Sequence, residues 1–244
     1  MAAALTRIFP LLSHWMDGDK DKLLRNLDLW QKNQKPVVLR TFDGMNKSSL
    51  LFQCAISYAK EGNHVTYICQ EPFTHLPLTV HGMSKPSSAS LGMVKFMYLK
   101  TLPELYDYCA SIHQSVLCPQ VIILDGIHFY VQQTKRQQCG EEQEAAQLCA
   151  MLVDAVQYCH TRNSSSKTFD ETQSQLIISC KDSKHLLPIF QKLNFQIISS
   201  KVKGDERRIT EMAVETMEEK IFLSYSVEPA EGIYLKDIKC IAKE

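Results

Sequence analysis

One stretch, Gln120-Val121-Ile122-Ile123-Leu124-Asp125-Gly126, constrains the fold more than any other. Four consecutive apolar residues without alternation fit a strand buried on both faces, as in a parallel sheet covered by helices on each side. An acid directly after such a run sits at the carboxyl end of the strand, where open α/β sheets bind their ligands. The rest of the chain supplies what such a sheet needs. Apolar runs at 37–39, 64–69, 93–99, 176–179 and 195–199 read as strands, and helical spacing covers 48–60, 102–115, 142–160 and 184–193. Residues 74–92, rich in Pro, Ser and Gly, read as a loop. The alternation predicts an α/β layered fold with a mostly parallel sheet. Past Gly204 the helical period stops, and 209–214 with 221–227 predict a C-terminal antiparallel hairpin. At the other end, Leu23, Leu24, Leu27 and Trp30 mark an N-terminal helical segment that Pro36 closes. The expected division is a helical segment over 1–35 and one domain over 36–244.

The turn after the first strand is the most informative for function. Thr41-Phe42-Asp43-Gly44-Met45-Asn46-Lys47-Ser48 lies between a strand and a helix, in the register of the phosphate-binding pattern G-x-x-x-x-G-K-[ST]. In that pattern backbone N–H groups curl around phosphates, the lysine reaches the β/γ oxygens and the hydroxyl holds Mg²⁺. Lys47 and Ser48 match; Thr41 and Asn46 replace both glycines. Asn visits the left-handed region more readily than most residues, so Asn46 is the milder change. Thr41, β-branched, resists a positive φ. Asp43 places a carboxylate where phosphate would sit. Gly44, Asn46, Lys47, Ser48 and Ser49 are the candidate nucleotide-binding residues, and the alternative is an ordinary turn with a solvated lysine. Asp125 after its buried strand has the form of a Walker B acid, making Ser48 and Asp125 the candidate Mg²⁺ ligands. Glu71, just past the second strand, is either the base that orients an attacking water or a solvated carboxylate beside Pro72.

Lys plus Arg and Asp plus Glu are 27 each, a formal net charge of zero. A nucleic acid would therefore be held by local charge and not by the overall field. Lys135 and Arg136, beyond the Asp125 strand, and Lys181 and Lys184, beyond the next, are the candidate DNA contacts, since both loops leave the same sheet edge. Lys201, Lys203, Arg207 and Arg208 form another basic cluster, diluted by Asp205 and Glu206. Phe52-Gln53-Cys54-Ala55 has the F-x-x-A form that recombinases use to dock on one another, but its place within a helix favours core packing. The nine cysteines are odd in number and lack C-x-x-C spacing, which reads as buried reduced thiols in cytosol or nucleus. No histidine from His64 to His185 sits at zinc spacing, and no apolar run reaches the length of a membrane span.

Taken in order, Lys47-Ser48-Ser49, Glu71, residues 121–125 and residues 176–180 resemble the landmarks of a RecA-type recombinase core. Met93-Val94-Lys95-Phe96-Met97-Tyr98, residues 102–109, Ile123-Leu124-Asp125-Gly126 and residues 144–154 resemble, more narrowly, the recombinase-paralogue-like subunits of the animal Shu complex. The similarity spans residues 36–180 and thins afterwards. It implies a RecA-like P-loop ATPase core, a heterodimer with a SWIM-domain zinc-finger protein, contacts with recombinase and its paralogues, and binding to single-stranded DNA. It further implies a nuclear, accessory role in homologous recombination DNA repair that supports recombinase filaments, with ATP and Mg²⁺ as cofactors and DNA-stimulated ATPase activity. In that reading Lys47 binds phosphate, Ser48 and Asp125 hold Mg²⁺, and Glu71 orients water. Thr41, Asp43 and Asn46 oppose ATP binding and turnover and leave the scaffold role untouched. The alternatives are an active P-loop ATPase or phosphotransferase of another pathway, and a pseudo-ATPase scaffold without DNA contact.

Overall fold

A computed structural model describes residues 2–11, 35–42, 46–133, 140–164, 174–183, 185–203, 209–215, 219–228 and 231–242. The apolar runs become the strands of a single sheet: β1 Val37–Thr41, β2 Val65–Cys69, β3 Val94–Tyr98, β4 Val121–Leu124, β5 Gln175–Lys181 and β6 Gln196–Lys203, followed by β7 Ile209–Glu215, β8 Glu219–Glu228 and β9 Gly232–Ala242. Their order across the sheet is β3-β2-β4-β5-β1-β6-β7-β8-β9. Neighbours from β3 to β6 pair in parallel, and β6 to β9 pair antiparallel. The expected mostly parallel α/β sheet is present, and the C-terminal hairpin is two strands of a longer antiparallel meander.

Alternation along each strand sorts side chains between two cores. Val37, Leu39, Tyr67, Ile123 and Ile177 face one side, where α1 Ala2–Ile8 and α2 Lys47–Lys60 lie. Val38, Ile68, Ile122, Leu124 and Ile178 face the other. There α4 Leu102–Ser111, α5 Ile127–Gln132, α6 Glu141–Ser164 and α7 Leu187–Lys192 cover them; a short α3, Ser88–Gly92, precedes β3. Both faces of the central strands are thus apolar, which explains why residues 121–124 show no alternation.

Capping chemistry sets several helix starts. In α4 Thr101 and Glu104 form a reciprocal capping box with Pro at N1/N2, and Ser87 with Ser90 does the same for α3. At α5 the start is a backbone matter. Gly126 has φ +95°, and a Cβ there would lie 2.4 Å from the Phe129 ring, so the chain turns out of β4 only with glycine.

Three elements escape sequence patterning. α3 and α5 are about a turn and a half long, too short for helical periodicity to register. β9 interrupts its alternation with Lys236 and with the irregularity opposite Ser224 and Tyr225, which shifts the inward side of the strand. Leu23, Leu24, Leu27 and Trp30 lie outside the described residues. α1 itself joins the domain core. The Phe9 ring packs tilted against Tyr225 of β8 with centroids 5.2 Å apart, the Ser57 hydroxyl donates to the Arg7 carbonyl at 2.8 Å, and Arg7 lies over the Tyr58 ring and pairs with Glu61 at 2.7 Å. Phe52 and Ala55 of the F-x-x-A tetrapeptide are buried in the same core, with Phe52 among Phe73 and Phe96.

Because Phe9 is fully enclosed, Phe9→Ala should lower stability by about 3–5 kcal/mol, measured by urea denaturation. A loss under about 1 kcal/mol would show that α1 only rests on the domain surface.

Candidate nucleotide-binding site

The site forms where the carboxyl ends of β1, β4 and β5 meet the first turn of α2. The Asn46 carbonyl accepts the Ser49 and Leu50 N–H groups at 3.1 and 3.2 Å, opening α2, while its side chain makes no capping bond. Lys47 and Ser48 therefore stand on the first turn, against Asp125, one residue beyond β4. β5 runs between β1 and β4 and brings Ser179 level with Asp125; β2, on the far side of β4, brings Tyr67.

Asp125 is 6% exposed and saturated with donors. Lys47 Nζ lies 2.5 Å from Oδ1, which also accepts the Ser179 hydroxyl at 2.9 Å. Ser48 Oγ lies 2.5 Å from Oδ2, which also accepts the Tyr67 hydroxyl at 3.1 Å. A carboxylate has about four lone-pair sites, so this one is fully used. Ser179 in turn accepts the Gly126 N–H at 2.8 Å.

Burial alone would raise the Asp125 pKa. The Lys47 charge and the hydrogen bonds from Lys47, Ser48 and Ser179 outweigh it and hold the carboxyl below its ordinary value. Tyr67 is pushed well above its ordinary value, first by burial and then by Asp125, so it stays a donor. Cys69 rises to about 11 by burial with Asp125 adding to it and Lys47 opposing. Beside the network, His128 falls to about 4, because burial and then the Lys47 and Lys181 charges outweigh the opposing pull of Asp125. Its neutral Nδ1 accepts the Lys181 N–H at 3.1 Å. The Phe129 ring lies 5.4 Å from Lys47 Nζ.

At the two positions where the phosphate-binding pattern has glycine the chain avoids strain. Thr41 remains in β1, extended and paired with both Lys181 and Ser200. Asn46 has φ −76°. The only non-glycine residue with positive φ among those described is Asn194. Neither end of the turn takes the left-handed curl that a glycine would allow.

The other candidates are distributed as follows. Ser49 is buried and its hydroxyl accepts the Leu78 N–H at 3.1 Å, turning toward the 74–87 loop. Glu71 lies exposed two residues past β2 and is not among the groups bonded to Asp125. Lys181 ends β5 with its side chain exposed. Gly44, Lys135, Arg136 and Lys184, with Asp43, lie outside the described residues. Tyr67, Ser179 and His128 were not recognised in the sequence. For Tyr67 and Ser179 the signal is a polar side chain set inside an apolar strand, as in Ile177-Ile178-Ser179; His128 stands on α5 and carries no such signal.

By chemistry the donor set fits a magnesium–triphosphate: a hydroxyl and a carboxylate side by side for the metal, and a lysine for phosphate. Here the lysine is committed to the carboxylate, so a nucleotide with its metal would bind only if Lys47 left Asp125 and a cation took its place. Next to the site Arg40 is ion-paired with Asp182. A groove of about 680 Å³ continues from them along β6, β7 and β8, lined by Arg40, Lys201 and Lys220 with Phe42, Phe195 and Phe222, and also by Asp182 and Glu211.

No protein-family model and no curated protein sequence matches the chain. Solved structures do. The RadB recombinase aligns with TM-score 0.55 and 12% identity over 85% of this chain and 93% of its own. The flagellar accessory protein FlaH from Methanocaldococcus jannaschii aligns with TM-score 0.50 and 14% identity over 83% and 89%. A DnaB-like replicative helicase, solved with attention to its interactions with primase, aligns with TM-score 0.51 and 7% identity over 84% of this chain and 59% of its own. The fold is RecA-like. At these identities the likeness establishes fold alone.

The pH dependence of stability follows from two depressed values. Asp125 contributes fully above its unfolded carboxylate pKa and loses that contribution as pH falls through its lower folded value. His128, near 6.5 when unfolded and about 4 when folded, contributes fully above 6.5 and loses stability as pH falls from 6.5 toward 4. His128→Asn should therefore flatten the stability profile between those values, read by urea denaturation at stepped pH. An unchanged slope would mean that His128 is not held neutral. Lys47→Ala should cost about 3–5 kcal/mol without any nucleotide present, by leaving Asp125 buried and unpaired.

Proposed function

We propose that the chain is an accessory factor of homologous recombination DNA repair, acting in the nucleus. In this reading it is a RecA-like subunit that binds single-stranded DNA together with a SWIM-domain zinc-finger protein and supports recombinase filaments. The observation that carries the reading is the meeting of Lys47, Ser48 and Asp125 at the carboxyl edge of a RecA-like sheet. The narrower resemblance over residues 36–180 supplies the partner and the pathway. The groove beside the site adds support: three cations and three phenylalanines face two acids along it. Cations for phosphate and rings for base stacking are what single-stranded nucleic acid requires.

Within this reading Lys47 would hold the phosphates, and Ser48 with Asp125 would hold Mg²⁺, which supplies neutralisation of phosphate charge when bound. Tyr67 and Ser179 keep Asp125 oriented. Glu71, on the neighbouring strand end, would orient water. The saturated Asp125 carboxylate favours a second reading for the nucleotide itself, a pseudo-ATPase scaffold whose P-loop residues serve the fold.

Three measurements test the proposal. Affinity purification from cells should return a SWIM-domain protein; its absence, with no recombinase-family protein recovered, counts against the family reading. In the complex, Lys135→Ala with Arg136→Ala should weaken binding to an oligothymidine and lower the salt slope by about 0.7 per lost phosphate contact, leaving partner binding intact. Unchanged affinity and slope would return those residues to solvated surface. The isolated chain should bind ATP weakly or not at all, and Asp43→Gly should improve binding. Micromolar affinity in the unmodified chain, abolished by Lys47→Ala, would show that the missing glycines matter little.

A further inference from the structure

The loop that leads into β4 is fastened to the end of α6. Arg162 Nη1 donates to the carbonyls of Ser115 and His113, at 2.7 and 3.3 Å. The Tyr158 hydroxyl donates to the same His113 carbonyl at 3.5 Å, and Asn163 Nδ2 donates to the carbonyls of Cys118 and Pro119 at 3.4 and 3.5 Å. The tip of this loop, Val116, is 91% exposed, so the loop is held by hydrogen bonds and not by burial of its tip.

Beneath it lie two thiols. Cys118 is on the loop and Cys159 is on α6, three residues before Arg162; both are free and buried. The Cys159 thiol is within hydrogen-bonding reach of Cys118, and Arg162 Nη1 lies 3.7 Å from the Cys118 sulfur. Burial pushes Cys159 up to about 12, with Cys118 adding to the rise and Arg162 opposing it, so Cys159 keeps its proton and donates it. The Arg162 guanidinium thus stands as a cation beside the Cys118 sulfur.

We propose that Cys118 and Cys159 are a modification site, joined by peroxide into an intramolecular disulfide that staples the loop before β4 to α6. The step balances. The Cys118 sulfur gives up its proton and attacks one peroxide oxygen; the O–O bond breaks and the departing hydroxide takes the proton and leaves as water. The resulting sulfenic acid is attacked by the Cys159 sulfur. An S–S bond forms, the S–O bond breaks, and the oxygen leaves as a second water with the Cys159 proton. Two thiols are oxidised by two electrons and one peroxide is reduced by two. The arrangement belongs to the face opposite α2 and does not rest on the DNA reading.

The test uses the full chain with hydrogen peroxide, followed by alkylation of the remaining thiols and peptide mapping. A peptide linking Cys118 to Cys159 is expected, reversed by dithiothreitol, absent in Cys118→Ser and Cys159→Ser, and retained in Cys149→Ser. Closing a loop of this length should also raise the thermal midpoint of the oxidised protein by several degrees, and the rise should vanish in Cys159→Ser. Cys159→Ala serves as a second variant should the serine disturb the core. The proposal fails if peroxide oxidises Cys139 or Cys240 while Cys118 and Cys159 stay reduced, if Cys118 links to any other cysteine, or if the midpoint shift persists without Cys159.

Discussion

A carboxylate kept charged inside a protein has to be surrounded by donors, and Asp125 imposes that requirement at the centre of this fold. Two unit charges about 4 Å apart attract by roughly 4 kcal/mol at an effective dielectric of 20. That is enough to offset much of the cost of burying one acid when further hydrogen bonds complete the shell. The four donors come from three separate elements: Lys47 and Ser48 from α2, Tyr67 from β2, Ser179 from β5. Satisfying one acid thus fixes α2 against β4 and sets β2, β4 and β5 in register at their carboxyl ends.

The two halves of the sheet meet their backbone and side-chain needs differently. The parallel half is sandwiched between helices, and its strands are apolar on both sides. The antiparallel half has α1 and α2 on one face, where Met212, Leu223 and Tyr225 are buried, and leaves Lys201, Glu211 and Phe222 along an open groove on the other. Antiparallel strands tolerate one solvated face, since short turns connect them without crossover helices. The edge of β9 is in part covered: Ile233 exchanges backbone hydrogen bonds with Thr79 and His81. That contact is where the 74–87 loop earns its ordered path, and Gly232 permits it, because any Cβ there would lie 2.5 Å from the Thr79 carbonyl.

Elements whose apolar period matched their length were legible in the sequence: the strands around 37–39, 121–125 and 176–179, and the helices after Lys47 and before residue 165. Those decided by backbone or tertiary terms were not. α5 begins because Gly126 can turn left-handed, and β9 hides behind an irregular register. For the site, position and chemical type of Lys47, Ser48 and Asp125 could be read from spacing, but their direct contact could not. Spacing cannot say whether a lysine points at a ligand or at its own protein. Tyr67 and Ser179 lay hidden for a related reason, since a polar residue on a buried strand acquires meaning only from the strand beside it, and that neighbour is set by topology.

The pattern of what this turn has kept and lost sorts by contact. Lys47 and Ser48, the two template residues retained, are those that touch Asp125. The two replaced positions, Thr41 and Asn46, are those whose glycines serve the close approach of backbone to phosphate. Thr41 now extends β1 between two neighbours, and Asn46 opens α2 with an ordinary backbone. A chain that needs the Lys47–Asp125 clip for its own stability has reason to keep both clip residues whether or not a phosphate ever arrives. The same clip makes any nucleotide compete with a partly buried internal cation. Retention of lysine, serine and acid in a RecA-like fold is therefore, on physical grounds, weaker support for turnover than for the architecture those three residues hold together.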